Sequence, residues 1–215
     1  MSGTITTKKP MIKETVGAQY YAFNDPAQGV EYDSSSYEEN VTKTETVKQI
    51  GVTENMESTP VKASGKDYTT VNQTSSIDLA VESVAVVPDD LARMRGENIN
   101  NGGLITSGSS NKRPYFAYGK VVKKNGGGIR YEWFPKCQLV ENTDDIATKE
   151  ENFSEQNDTL TIRAYPFNDA GDIKNYVDSE AENFPSTLTE DAFFSKPIIN
   201  QADLTSVIPV TTPGA

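Results

Sequence analysis

Apolar and polar residues alternate along much of this chain, a pattern that predicts strands. The clearest run is SIDLAVESVAVV at 76–87. Ile77, Leu79, Val81, Ala85 and Val87 fall on one face, with Asp78, Glu82, Val84 and Val86 on the other. Pro88 ends the strand, because proline cannot donate to a ladder. PDDLARMRG then reads as a short helix. Asp89 or Asp90 is its expected N-cap, Arg93 and Arg95 lie near its C-terminus, and Gly96 sits just past the end. A β-branched and aromatic run from Tyr115 to Val122 leads to Asn125-Gly126-Gly127-Gly128. A second run covers Ile129 to Phe134 and resumes at Cys137–Val140 after Pro135. Asn and Gly supply the positive φ that a tight reversal demands, so these two runs form a hairpin.

Three further strands are expected. TKTETVKQIGVTE carries Val47, Ile50 and Val52 as its apolar members, and its phase breaks near Gln49, which predicts a bulge. DTLTIRAYPF places Leu160, Ile162 and Ala164 on one face, and AQYYAFN reads as a short strand near the start. The connectors at 24–40, 53–68 and 97–113 are long and polar, and beyond Phe167 the chain is acidic and punctuated by proline. Loops of that length inside a compact domain are usually functional, disordered or ordered by a partner. The expected fold is mainly β, a β-sandwich or partial barrel with one short flanking α-helix, long loops and terminal arms. Its expected divisions are an N-terminal arm at 1–17, a β domain at 18–167 and an acidic C-terminal extension at 168–215.

Composition sharpens this picture. Hydrophobic residues are 35% of the 215, below the roughly 45–50% of an average globular domain. A compact core with polar arms accounts for the deficit. The formal net charge of −11 opposes non-specific binding to nucleic acid and docking on an anionic membrane. It suits a protein kept soluble at high concentration, and equally a channel through which DNA must pass without sticking. Cys137 is the lone cysteine, so no intrachain disulfide forms and a reducing compartment is expected. Its setting, WFPKCQLV, is that of a buried, inert thiol. MSGTITTKKPMIKETVG lacks the apolar segment of a signal peptide, and no stretch approaches the ~18 apolar residues of a membrane span.

Catalytic chemistry has little to build on. Histidine is absent, which removes the commonest general base and metal ligand. Cys137 alone cannot make a zinc site. GLITSGSS at 103–110 has the glycine spacing of a phosphate-binding loop, but Ser109 stands where lysine is required, and a flexible loop explains it. The pairs Asp89–Asp90 and Asp144–Asp145 are explained by helix capping and a solvated loop. No enzymatic activity, cofactor or metal is expected.

Charge is unevenly spread. From Lys112 to Lys136 the chain holds Lys112, Arg113, Lys120, Lys123, Lys124, Arg130 and Lys136 against Glu132 alone, whereas acids dominate from Glu141 onward. These are either solvated faces or a basic hairpin that meets an acidic segment of a neighbouring copy. A third reading makes Tyr115, Phe116, Tyr118, Tyr131 and Trp133 stacking platforms for nucleic acid, against the whole-chain charge.

The order of these features resembles a known family. IDLAVESVAVVPDDLARMRGE, then PYFAYGKVVKKNGGGIRYEWFPKCQLV, then DTLTIRAYPF, look like the major tail proteins of siphophages, of the kind found in phages of Gram-positive bacteria. The matched elements are Ile77–Val87, Asp89–Arg95, Pro114–Gly119, Arg130–Lys136, Glu150–Glu151 and Asp158–Phe167, within roughly 43–167. The resemblance implies a structural virion protein whose copies close into rings, expected to be hexameric. The rings stack into a tail tube that conducts DNA without binding it specifically. Implied partners are other copies, tape-measure protein and tail-tip or terminator proteins, with assembly in the host cytoplasm and residence in the virion tail. Two other classes stay open, a capsid decoration or adhesin domain and a hydrolase using paired carboxylates.

The candidate site residues are accordingly assembly residues. Val47, Ile50, Val52, Ile77, Leu79 and Val81 are expected on edge strands that pair between subunits. Met56, Pro60, Lys62 and Lys66 belong to the Thr53–Tyr68 loop, expected to stack rings together with the N-terminal arm and the C-terminal tail. Phe116, Tyr131, Trp133 and Leu160 are the expected core.

Overall fold

The structure is a computed structural model that describes residues 6–24, 35–144, 146, 148 and 156–209, with backbone alone at Val71 and Asn72. Its elements in chain order begin with β1 (Lys13–Phe23), β2 (Thr42–Thr44), β3 (Val47–Ala63), β4 (Lys66–Ser83) and α1 (Pro88–Arg95). There follow β5 (Asn98–Ile99), β6 (Ile105–Thr106), β7 (Phe116–Lys124), β8 (Ile129–Asp144) and β9 (Asp158–Ala164). The C-terminal part adds β10 (Asn175–Asp178), α2 (Glu190–Phe193) and α3 (Gln201–Val207).

Every strand pairing is antiparallel. The main sheet runs β2-β1-β7-β8-β9-β4-β3, with β10 also paired to β8, while β5 and β6 form a separate small hairpin. β8 is long enough to serve two neighbours in turn: Arg130–Trp133 pair with β10, and Cys137–Asp144 pair with β9. The sheet curls on itself. Gln19 Nε2 on β1 reaches Ser83 Oγ on β4 at 3.4 Å, and Gln19 also accepts from the Tyr118 hydroxyl at 3.1 Å. No ladder joins β1 to β3 among the described residues, so the result is a partial barrel that stays open.

Two cores follow from this curl. Inside it pack Tyr21, Phe116, Tyr118, Phe134, Leu160 and Ile162, with Ile77, Leu79 and Val81 from β4 and Met94 from α1. On the other side of β1, β7 and β8, Tyr20, Tyr131 and Trp133 pack against Leu188, Phe193, Phe194 and Ile198. A strand buried on both faces loses its alternation and reads as a continuous apolar run. This is why the first strand is spelled AQYYAF and why Phe116–Val121 are buried at every position.

Several sequence expectations are corrected. The supposed loop at 53–68 is strand: β3 and β4 continue through it to a two-residue turn at Ser64 (φ 51°) and Gly65 (φ 74°). Both residues lie in the left-handed region, as a type I′ reversal requires. The strand expected to reach Val87 ends at Ser83, and Ala85 and Val87 are exposed. Neither Asp89 nor Asp90 is the N-cap of α1. Val87 holds that position without a side-chain bond, Pro88 opens the helix, and the two acids lie in its first turn, where they face the positive end of the helix dipole. Gly96 does close it in the left-handed conformation, at φ 70°. The 1–17 arm overlaps β1, which starts at Lys13, and the described part of 168–215 is no appendage, because it walls the second core.

Candidate assembly surface

The outer half of the β3–β4 hairpin is a long exposed element. β9 accompanies β4 only from Ile77 to Ser83. Beyond the Asn55–Ser76 pair the two strands continue alone to Ala63–Lys66. At 3.3–3.4 Å per residue that is a ribbon of about 30 Å. None of its described side chains is buried: Met56 is 66% exposed, Tyr68 78%, and Val61, Lys62 and Lys66 also lie in solvent. Pro60 sits on β3, consistent with the confinement of proline to edge strands. All four residues expected in a stacking loop, Met56, Pro60, Lys62 and Lys66, are therefore on this ribbon. The sequence hid the strands because neither face is buried, so no apolar alternation marks them. The Ser64-Gly65 dipeptide, flanked by Val61 and by Thr69-Thr70-Val71, was the one available signal.

β3 is also the outermost strand of the sheet, so one side of Val47–Ala63 has no strand partner among the described residues. Val47, Ile50 and Val52 lie on this edge, and the register shift between Val47 and Gln49 is the bulge expected there. Ile77, Leu79 and Val81 do not lie on an edge. β4 is sandwiched between β3 and β9, and their side chains are 0–2% exposed in the inner core. Their strong alternation reflects burial, and alternation alone cannot tell a central strand from an edge.

One sheet face is left open. Where the C-terminal segment stops covering the sheet, cross-strand rows emerge on the outer face. One is Gln49–Glu82–Thr159–Thr143, the next Gly51–Ala80–Thr161–Glu141, and the last Thr53–Asp78–Arg163–Gln138. Arg163 Nε donates to Asp78 Oδ1 at 2.6 Å, and this contact holds the Asp78 carboxyl below its usual range. Glu82 is the partner of Asn157 at 2.8 Å, with Lys48 more distant at 3.9 Å. This face is polar and mildly acidic.

Three basic residues of the hairpin, Lys120, Lys124 and Arg130, meet acids of their own chain. Lys120 and Glu132, only 6% and 8% exposed in their side chains, pair at 2.7 Å inside the curl. Burial lowers the Lys120 ammonium, and Glu132 opposes that. Lys124 donates to both oxygens of Asp178 at 2.6 and 2.7 Å and also to Glu180. Arg130 Nε adds a 2.7 Å bond to Asp178, and Glu180 accepts from the Met11 backbone N–H at 2.7 Å. Burial works against the Asp178 carboxylate, but Lys124 and Arg130 outweigh it and hold its pKa at about 2. This cluster ties the start of β1, the β7–β8 turn and the end of β10 together.

The aromatic residues follow the same inward logic. Leu160 is buried with Phe116, Tyr118, Tyr131 and Trp133, and these four buried rings offer no platform to nucleic acid bases. Tyr115 packs edge-on against Tyr165 at 6.0 Å. Burial pushes the Cys137 thiol upward, and its Sγ lies 3.3 Å from the Phe134 carbonyl oxygen. Among the described residues no group of acidic or cysteine side chains could hold a metal ion, and no helix is long and apolar enough to cross a membrane.

No protein-family model matches this chain. No curated protein matches it either. Among solved structures, a chain of the six-fold symmetrised cryo-EM structure of the anti-feeding prophage baseplate aligns with a TM-score of 0.43 and 9% identity, covering 80% of this chain and 97% of that one.

Proposed function

We propose that this protein is a structural subunit whose copies close into rings, and that the rings stack into the tail tube of a long-tailed bacteriophage. The observation that carries this reading is the bare ribbon beyond Asn55 and Ser76. A two-stranded hairpin with both faces in water is at best marginally stable by itself. A second copy that covers it supplies the missing face. The free edge of β3 adds a long row of backbone groups able to pair with a neighbouring subunit. Around a ring, the open face with Glu82, Glu141 and the Asp78–Arg163 pair would line the lumen, and its charge would let DNA slide without adhering. Tape-measure, tail-tip and terminator proteins would be the partners at the ends of such a tube, and the virion its location.

Native mass spectrometry across a range of concentrations and ionic strengths tests the ring. A closed species, expected at six copies, with its stacked multiples supports the proposal. A monomer at every concentration contradicts it and favours a decoration or adhesin module.

A further inference from the structure

The chain crosses between the two ends of the curled sheet in two residues. β2 lies on β1, β3 lies on β4, and Glu45 and Thr46 join them. Thr46 is pinned on the far side, where its carbonyl accepts from the Val84 N–H at 2.8 Å. Thr44 stands opposite Gln19 on β1, so its side chain shares a face with Gln19 and Tyr21. α1 follows β4 and buries Asp90, Ala92 and Met94. Asp90 and Met94 are one turn apart on the same face of the helix, and Met94 belongs to the inner core together with Tyr21. Asp90 is thereby turned toward the end of the barrel interior.

Polar groups collect here without satisfying one another. Tyr21 is 1% exposed, yet its hydroxyl makes no hydrogen bond within the chain, and the same holds for the buried hydroxyls of Thr44 and Thr46. Asp90, 8% exposed, has no ion pair or side-chain hydrogen bond among the described residues. Burial raises the Tyr21 phenol far above its ordinary value; Thr44 opposes this and the Asp90 charge adds to it, so both stand close to the hydroxyl. Neither is in hydrogen-bond geometry with it. Burial also raises the Asp90 carboxyl, with Arg93 opposing. Buried polar atoms without partners are costly, and a water making about two to four hydrogen bonds is the usual remedy in folded proteins. The hydroxyls can each donate or accept, and the carboxylate accepts only. A water suits that set, since it donates to the carboxylate while accepting from a hydroxyl. The single carboxylate and few oxygens fall short of the roughly 6–8 oxygen ligands that calcium takes.

We propose that a buried water bridges Tyr21, Thr44 and Asp90, with Thr46 beside it, and fastens α1 to the end of the barrel where the chain crosses from β2 to β3. The site lies within one subunit, so it stands apart from the assembly reading and holds whether or not copies associate.

Tyr21→Phe and Thr44→Val each delete a hydroxyl and keep the shape of the side chain. Deleting a hydroxyl that bonds a water is costly, whereas deleting a buried one without a partner is neutral or stabilising. The melting temperature of the full chain should therefore fall by about 2–6 °C in either single variant. The double variant should melt no lower than the weaker single one, because the shared water is already lost. Oxygen-17 relaxation dispersion of the solvent counts long-lived internal waters directly, and Tyr21→Phe should hold fewer than the parent. A melting temperature unchanged or raised in the single variants overturns the proposal, as do additive losses or an equal count of internal waters. Melting of the parent that rises with sodium, potassium or calcium chloride, but not with choline chloride at equal ionic strength, would place a cation in the site and overturn the water.

Discussion

Phe194 shows how the second core is held. Its ring lies flat on Tyr20, with centroids 3.9 Å apart and planes 2° from parallel, and it also packs against Tyr131, Trp133 and Phe193. Below it Gly119 leaves the necessary room, since a β-carbon there would lie 2.7 Å from Phe194 Cε1. Phe194→Ala should cost about 3–5 kcal/mol of stability, and Gly119→Ala about 1–3 kcal/mol through overpacking, both measurable by urea unfolding. Asp178 gives a prediction in pH. Its carboxyl is held at about 2, below the ~3.9 of an unfolded aspartate, so its contribution is present above pH ~4 and is lost as pH falls through about 2. Thermal unfolding between pH 5 and 2 should decline less steeply in Asp178→Asn than in the parent. A parallel decline would remove Asp178 from the cause. The burial of Phe116, Tyr131, Trp133 and Leu160 was legible from their apolar bulk in runs rich in aromatic and β-branched residues. Phe193 and Phe194 were not, because they sit in a stretch whose acids dominate any averaged reading. The local signals were present: Thr189 caps α2, and Asn200 with Asp203 forms a capping box on α3.

Among the elements, legibility tracked burial. β7, β8 and β9 have interior faces, and their apolar, β-branched and aromatic runs located them to within a few residues. The β7–β8 turn was marked by Asn125 and the glycines after it, with Gly126 and Gly127 at φ 81° and 84°. The distal ribbon of β3 and β4 has no interior, so the same rule was silent there and a loop was the natural reading. That contrast makes the ribbon separable from the domain. A variant that lacks Glu57–Lys62 and Asp67–Gln73, keeping Ser64-Gly65 as its turn, joins Met56–Thr74 directly to Ala63–Lys66. Its circular dichroism melt should stay within a few degrees of the parent, because no core residue is removed. Sedimentation should show it arrested before stacked assemblies. If it assembles like the parent, the ribbon has no part in the process.

For the molecule as a whole, the sequence conveyed the class, mainly β with a short helix, but not where the polar parts belong. The acidic C-terminal region read as a tail because its charge dominates its composition. In the fold part of that charge is paired locally, as Asp178 and Glu180 neutralise Lys124 and Arg130 while Phe193, Phe194 and Ile198 cover the sheet. Among the described residues, the outer edge of β3 has no strand partner and the distal ribbon has no cover, and the two adjoin at one end of the strand order. The proposal that copies of the chain complete one another rests on that distribution. Negative-stain electron microscopy of the purified protein at high concentration tests this most directly. Rings and long hollow tubes of uniform diameter are the predicted result. Dispersed single particles at every concentration, with tail-tip initiator proteins present as well, would contradict it.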